Sequence, residues 1–366
     1  MKRLFTAFPA LGLSLLAASW NANGAELPRL RFSYGDWEIA CDNTRTCRAA
    51  GYDSENSSDA GDNDGAGQRR MSVLLTRKAG PDTPVHAELQ IGTYEDTQSA
   101  APLPRTLSLT MTIDGKEHGK VAVTADNPTV DLAPGQTRAL LAALTRVSKI
   151  AWTDGPFTWR LSDAGAAAVL LKMDAFQGRV GTPGALVRKG ARLETSVLAP
   201  LPEPVVRVPA LDDRAIDLPA PRLAALRQAL KAPADTCTEP DNIDGTPGDI
   251  AVWRLTGGKL LASLPCWRAA YNEGAAYWVV NARPPYAPRL VTTAGNGYAS
   301  GTIGSSLKGR GLGDCFSFDE WTWDGKGFVH SSEGDTGDCR LVAPGGAWVL
   351  PELVSAVQPA RSTNRP

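Results

Sequence analysis

The side chains with most chemical promise in this 366-residue sequence are six cysteines, three histidines and two small sets of carboxylates. Cys41, Cys47, Cys237, Cys266, Cys315 and Cys339 contain no CxxC pair. A redox thiol needs an exposed, electropositive setting and usually a close partner. Arg45 and Arg48 flank the Cys41/Cys47 loop. Residues of strand character surround both cysteines, however, which favours a structural bridge. A zinc site is not expected from them, because His86, His118 and His330 lie away from the cysteines in sequence. Loop-closure entropy grows with separation, so sequence neighbours are expected to join as Cys41–Cys47, Cys237–Cys266 and Cys315–Cys339.

The carboxylates give weaker signals. Glu320 and Asp324 stand near a turn and are one example of a carboxylate pair for glycoside hydrolysis, a weak signal, since that chemistry needs two carboxyl groups facing across roughly 5–10 Å. His330 follows Val329 at a strand end near Asp335 and Asp338, an acid/base pairing in principle, though incidental proximity is the plainer reading. Asp59, Asp62, Asp64 and Gly65 resemble a calcium loop, but the register set by Gly65 puts Ala60 at the first ligand position and Met71 at the last. Gly295–Gly301 has the wrong glycine spacing for a dinucleotide loop and reads as a flexible turn. No GxSxG, HExxH or P-loop string occurs. No catalytic residue, cofactor or metal is therefore expected, and the sequence leans away from an enzyme.

Tryptophan offers a different chemistry. Trp253, Trp267, Trp278, Trp321, Trp323 and Trp348 all fall in the second half. An amphipathic ring can stack on a sugar or fill a core. Trp267, Trp278, Trp321 and Trp323 are the candidate ligand platform. Trp321 and Trp323 share a strand face at period two and should meet one environment.

The start of the chain carries an address. Lys2 and Arg3 precede an uncharged apolar stretch, Leu4–Trp20, and Ala22 and Gly24 are spaced for cleavage before Ala25. This is the layout of a secretory signal peptide over residues 1–24. Pro9 interrupts the apolar run, which is shorter than the ~20 residues of a spanning helix. No transmembrane segment is expected after cleavage. Loss of Lys2 and Arg3 shifts the formal charge from −1 to −3. No basic stripe gathers phosphates, so nucleic acid is not an expected partner. An even cysteine count in an exported chain reads as disulfides.

The elements that would position these residues are mostly strands. Arg31–Cys41 reads as one strand with Trp37, Ile39 and Cys41 on a face, returning as Cys47–Tyr52. Asp53–Gln68 lacks large apolar residues and reads as a solvated loop. Met71–Arg77 and Ala87–Gly92 are further strands. Thr106–Ile113 alternates without a break and turns at Asp114-Gly115. Helices are expected over Gln136–Ile150 and Ala166–Phe176, the second capped by Ser162. Six prolines between Leu198 and Pro221 suggest an extended connector. Beyond it, a short helix near Pro221–Leu230 precedes strands that include Ile250–Leu255, Lys259–Leu264, Ala269–Tyr271, Tyr277–Asn281, Leu290–Thr293, Cys315–Trp323 and Gly327–Ser331. The expected organisation is a signal peptide at 1–24, a β-rich domain at 25–200, a connector at 201–234, a Trp-rich β domain at 235–357 and a frayed tail at 358–366. The fold class is mainly β with a few short helices, two disulfide-stapled β-rich domains.

The stretch Tyr34-Gly35-Asp36-Trp37-Glu38-Ile39-Ala40-Cys41 through Cys47-Arg48-Ala49-Ala50-Gly51-Tyr52 resembles the opening of a bacterial secreted family known as a domain of unknown function (number 1176). Gln177-Gly178-Arg179-Val180-Gly181-Thr182-Pro183, Cys266-Trp267-Arg268-Ala269-Ala270-Tyr271-Asn272, Cys339-Arg340 and Gly346-Ala347-Trp348 match its other marks. The N-terminal part is more loosely similar to the invasion-associated locus B group. The resemblance implies export to the periplasm and no particular activity. The reading is a periplasmic envelope protein, a non-catalytic binding or structural module whose partner is an unknown envelope protein or glycan. The alternatives are an envelope-glycan hydrolase and a periplasmic inhibitor of a host or rival enzyme.

Overall fold

The computed structural model describes residues 28–54, 69–92, 103–231, 237 and 249–360. The signal-peptide stretch, the calcium-like Asp59–Gly65 run and the chain beyond residue 360 lie outside the described residues. The fold is mainly β, with three α-helices among the described residues.

The expected single strand at Arg31–Cys41 is a hairpin. β1 (Leu30–Tyr34) and β2 (Trp37–Cys41) reverse at Gly35-Asp36. Gly35 has φ +61°, and a Cβ there would lie 2.5 Å from the Ala164 carbonyl oxygen, so only glycine fits this turn. β3 (Cys47–Tyr52), β4 (Met71–Arg77) and β5 (Val85–Ile91) continue the antiparallel order. β6 (Thr106–Ile113) keeps the alternation of its sequence, with Leu107, Leu109, Met111 and Ile113 inside. It leads into β7 (Lys116–Thr124), and the short β8 (Thr129–Asp131) returns to β5.

α1 (Pro134–Ala143) opens on a proline, whose missing N–H is no loss at the first helical position. The Gln136 side chain accepts the Ala133 N–H at 2.9 Å. The helix stops well before the expected Ile150. Side-chain acceptors draw the chain away: Ser148 N–H donates to Asp163 and Lys149 N–H to Asp114, while Arg146 pairs with Asp114. Val147 is consequently 92% exposed, and Ile150 enters β9 (Ile150–Asp154), paired with β10 (Phe157–Leu161). α2 (Ala166–Phe176) has the expected span and buries Val169, Leu170 and Met173. Its N-cap is Gly165 rather than Ser162, whose hydroxyl instead accepts the Ala164 N–H.

These elements form two sheets, ordered β1-β2-β3-β4-β5-β8 and β10-β9-β6-β7. Both sheets, α1 and α2 contribute to one apolar core that includes Trp37, Trp152 and Trp159. β2, β3 and β4 are buried almost throughout because their second face is covered too. Ala40, Ala50, Tyr52 and Leu74 on that face meet Val342, Trp348 and Leu350 from the far end of the chain.

β11 (Val205–Val208) leaves the Pro-rich stretch, and α3 (Ala220–Ala229) follows. β12 (Ala251–Arg254), β13 (Lys259–Arg268), β14 (Glu273–Asn281) and β15 (Arg289–Gly295) make a four-stranded antiparallel sheet. Ala269–Tyr271, expected as a strand, is the turn between β13 and β14, closed by the Ala269 N–H on the Asn272 carbonyl at 2.7 Å. The stretch expected as a flexible Gly295–Gly301 turn is largely strand. β16 (Gly297–Ala299) pairs with β17 (Thr302–Lys308). β18 (Phe316–Trp323), β19 (Phe328–Asp335) and β20 (Leu350–Leu353) complete a five-stranded sheet. β21 (Ala356–Pro359) pairs in parallel with β11, so pairing runs past Gln358, where a frayed tail was expected to begin. One face of the four-stranded sheet packs on α3, the other on Ile303 and Trp323 of the five-stranded sheet.

Candidate functional site

The three disulfides join Cys41 to Cys47, Cys237 to Cys266 and Cys315 to Cys339, the pairs expected from sequence. Cys41 and Cys47 are fully buried, so that bridge is held in the core and presents no thiol to a substrate. Around it, Asp42 accepts the backbone N–H groups of Thr44 and Thr46 and an Arg48 guanidinium N–H. The Gln177-Gly178-Arg179 motif serves the same purpose. Gln177 donates to the carbonyls of Arg45 and Arg77, and Arg179 donates to Gln177 and to the Gly80 carbonyl. These signature residues fasten α2 to the disulfide loop.

The four platform tryptophans do not share one surface. Trp278 and Trp323 are buried, on opposite faces of the four-stranded sheet. Trp323 donates its indole N–H to Thr256 at 3.0 Å. Neither can offer a ring to a ligand. Trp267 and Trp321 are partly exposed and sit on different sheets. Trp321 and Trp323 do meet one apolar cluster, as their period-two spacing implied.

Trp267 lies where β13 bulges past Pro265 and faces Gly274 of β14. A Cβ on Gly274 would sit 2.5 Å from the indole, so the ring lies flat on bare backbone. Its N–H donates to the Thr293 carbonyl at 3.0 Å. Trp267 therefore has a fixed plane and borders a groove of about 310 Å³ shared with Arg268, Glu273, Tyr277 and Asn296. Arg268 and Glu273 face each other at 3.5 Å, both well exposed. Small-ligand sites combine aromatic walls with a few placed polar groups, and this groove has both.

Trp321 belongs to a second arrangement. A bulge lets Glu320 pair with Ser332 and Trp321 with His330, leaving Ser331 unpaired in the ladder. Ser331 is buried and hydrogen-bonded to Thr322. The shift sets Asp319 opposite Glu333. The Trp321 and His330 rings stack at 5.2 Å and 16°. His330 Nε2 is 2.8 Å from Asp319 Oδ1, and His330 Nδ1 is 4.0 Å from Glu333 Oε2. Arg29 also pairs with Glu333. His330 lines a groove of about 380 Å³ with Val205, Arg207, Asp324, Leu353 and Ser355.

The partners of His330 are thus Asp319 and Glu333, not the Asp335 and Asp338 that neighbour it in sequence. Asp335 instead binds Arg31 at 2.8 Å. Glu320 is exposed on the strand face away from Trp321, and Asp324 accepts the Lys326 and Gly327 N–H groups of its own turn. Only the Trp321–His330 pairing could be found locally. The Trp321–Phe328 hairpin signal, folded symmetrically, gives it, but the bulge alters every pair beyond.

A buried charge cluster joins the two halves. Glu38 lies within β2, where Tyr52 donates to it and the Asp338 N–H donates at 2.7 Å. Arg31 bridges Glu38 and Asp335. Burial pushes the Glu38 carboxyl up to about 7 despite the opposing pull of Arg31. Burial raises Asp335 and Glu352 as well. Arg340 pairs with Asp36 at 3.2 Å and covers the Tyr52 ring at 5.6 Å. No helix among the described residues is long and apolar enough to cross a membrane.

Residues 31–355 match a family model described as a protein of unknown function, DUF1176. The chain is similar to the uncharacterized protein YpfG of Escherichia coli (strain K12), at 26% identity over 334 residues, covering 81% of this chain and 85% of that protein.

Proposed function

We propose that this chain, which belongs to the DUF1176 family of proteins of unknown function, is a periplasmic envelope protein that binds an envelope glycan without catalysis. The ligand lies in the Trp267 groove. The observation that carries this reading is the immobilised indole. Held flat on Gly274 by its own hydrogen bond, Trp267 offers a rigid apolar ring beside Arg268, Glu273 and Asn296. A pyranose needs such a face for its C–H groups and polar groups for its hydroxyls. Export is supported by the signal-peptide layout of residues 1–24 and by three formed disulfides. The looser likeness to the invasion-associated locus B group remains a resemblance and contributes no residue to the groove.

Calorimetric titration of the mature protein with soluble peptidoglycan fragments tests this directly. Saturable binding is expected, lost in Trp267→Ala and weakened in Arg268→Ala, an exposed change that leaves the core untouched. Affinity unchanged from the parent protein in both variants would refute the groove, and no binding by any fragment would refute the glycan. Fractionation of cells making the full-length protein tests location: the mature form, beginning at Ala25, is expected in the periplasmic extract.

A further inference from the structure

We propose that Asp319, His330 and Glu333 form a binding site for a divalent first-row transition-metal ion such as zinc. The three residues each offer one ligand atom, and these atoms lie within 4.8 Å of one another, all on partly buried side chains. A metal with bonds near 2.1 Å holds its ligands roughly 3–3.5 Å apart. His330 Nε2 and Asp319 Oδ1 are already 2.8 Å apart, and a swing of the Glu333 side chain would close the remaining gap. One imidazole with two carboxylates suits the zinc group of ions, whereas calcium and magnesium favour all-oxygen sites.

Two features make this more than an acidic cluster. Trp321 stacks on His330 at 5.2 Å and fixes the imidazole plane, which lowers the entropy lost on binding. The Ser331 bulge is what brings the donors together, because without it Asp319 would face Ser332 rather than Glu333. His330 also borders the groove of about 380 Å³, so a metal with three protein ligands would keep an open position toward solvent. Arg29 now neutralises Glu333 and would compete with the ion. The Trp267 groove is on another sheet, and the metal site stands or falls without it.

The other comparable cluster, His86 with Glu88 and Asp131, is more exposed, with the His86 side chain 54% accessible. It serves as the internal control. The disulfide-intact mature protein is titrated with Zn²⁺ by calorimetry and with Cu²⁺ by tryptophan fluorescence. We expect one saturable site and quenching that diminishes in Trp321→Phe. His330→Ala and Glu333→Gln should each weaken binding by about tenfold or more, Arg29→Ala should strengthen it, and His86→Ala should leave it unchanged. Glu333→Gln is partly exposed and retains the fold if His330→Ala does not. Absence of saturable binding overturns the proposal. So does binding indifferent to Glu333→Gln or abolished by His86→Ala.

Discussion

The two halves of the molecule treat their polar residues differently. In the first, buried charge is tied into structure. Asp53 accepts from Arg70 at 2.7 Å, Asp174 accepts the Leu186 and Val187 N–H groups, and Arg179 donates to the Gly80 carbonyl at 2.7 Å. These groups are fully or nearly buried around one continuous core. In the second half the cores are smaller and split between sheet faces. There the Trp267 groove and the Asp319–His330–Glu333 cluster stay partly open. The signature residues of the first half described above work as fasteners, whereas Trp267 and His330 border open grooves in the second. Part of the family signature therefore fastens the fold, while another part, Trp267-Arg268, borders an open groove.

The contrast can be broken most sharply in the first core. Trp37 is fully buried, its N–H donates to the Ser162 carbonyl at 2.7 Å, and its ring fills the space a Gly51 Cβ would need, 2.3 Å away. Trp37→Ala should cost about 3–5 kcal/mol in denaturant unfolding, and Gly51→Ala should also be severe. A small change for either would mean that this core is looser than its burial indicates.

The disulfides should rank against their prominence in the sequence. Cys237–Cys266 and Cys315–Cys339 close separations of 29 and 24 residues, Cys41–Cys47 only six. On chain entropy, removing either long bridge costs about 3–4 kcal/mol and the short one about 2 kcal/mol. Double Cys→Ser variants compared by thermal melting decide the order. Non-reducing peptide mapping should recover the three local pairs and no link between Cys47 and the second half.

The junction between the halves should respond to pH. Glu38 holds its proton more tightly when folded, so its contribution is fully present below about pH 4.5 and is lost as pH rises through about 7. The raised carboxyls of Asp335 and Glu352 act in the same direction. Unfolding free energy should fall by roughly 1–3 kcal/mol across that window. Glu38→Gln, which cannot titrate, should flatten the slope, and an unchanged slope would remove Glu38 as its source. The smallest effect is expected at Ser72, which accepts the buried Trp348 N–H at 2.7 Å. Ser72→Ala leaves that donor without its acceptor and should cost about 1–2 kcal/mol by the same measurement.

Local patterns in the sequence were enough for the elements set by local forces. The alternation of Thr106–Ile113, the apolar spacing of Ala166–Phe176 and the three short-range bridges all follow from neighbouring residues. What escaped depends on distant partners. α1 ends early because Asp114 and Asp163 capture the backbone at Ser148 and Lys149. Gly297–Ala299 is a strand because Thr302–Lys308 offers it an edge. The candidate site was legible only in part. Of the four platform candidates, Trp267 and Trp321 keep some exposed area, whereas Trp278 and Trp323 look identical to them in sequence and are core. His330 was noticed beside the wrong carboxylates, since a single bulged residue decides which ones it meets.

The parallel pairing of β11 with β21 has a mechanical consequence. It places Val205 and Ala356 side by side, with the Ala356 N–H on the Pro204 carbonyl at 2.8 Å and the Ala360 N–H on the Val208 carbonyl at 2.7 Å. The intervening chain leaves and returns through one clamp. Tension applied at residues 205 and 359 pulls parallel strands in opposite directions, loading their hydrogen bonds together in shear instead of unzipping them singly. Stretching between those points should meet an early force peak that weakens in Ala356→Pro, which removes the N–H donated to the Pro204 carbonyl.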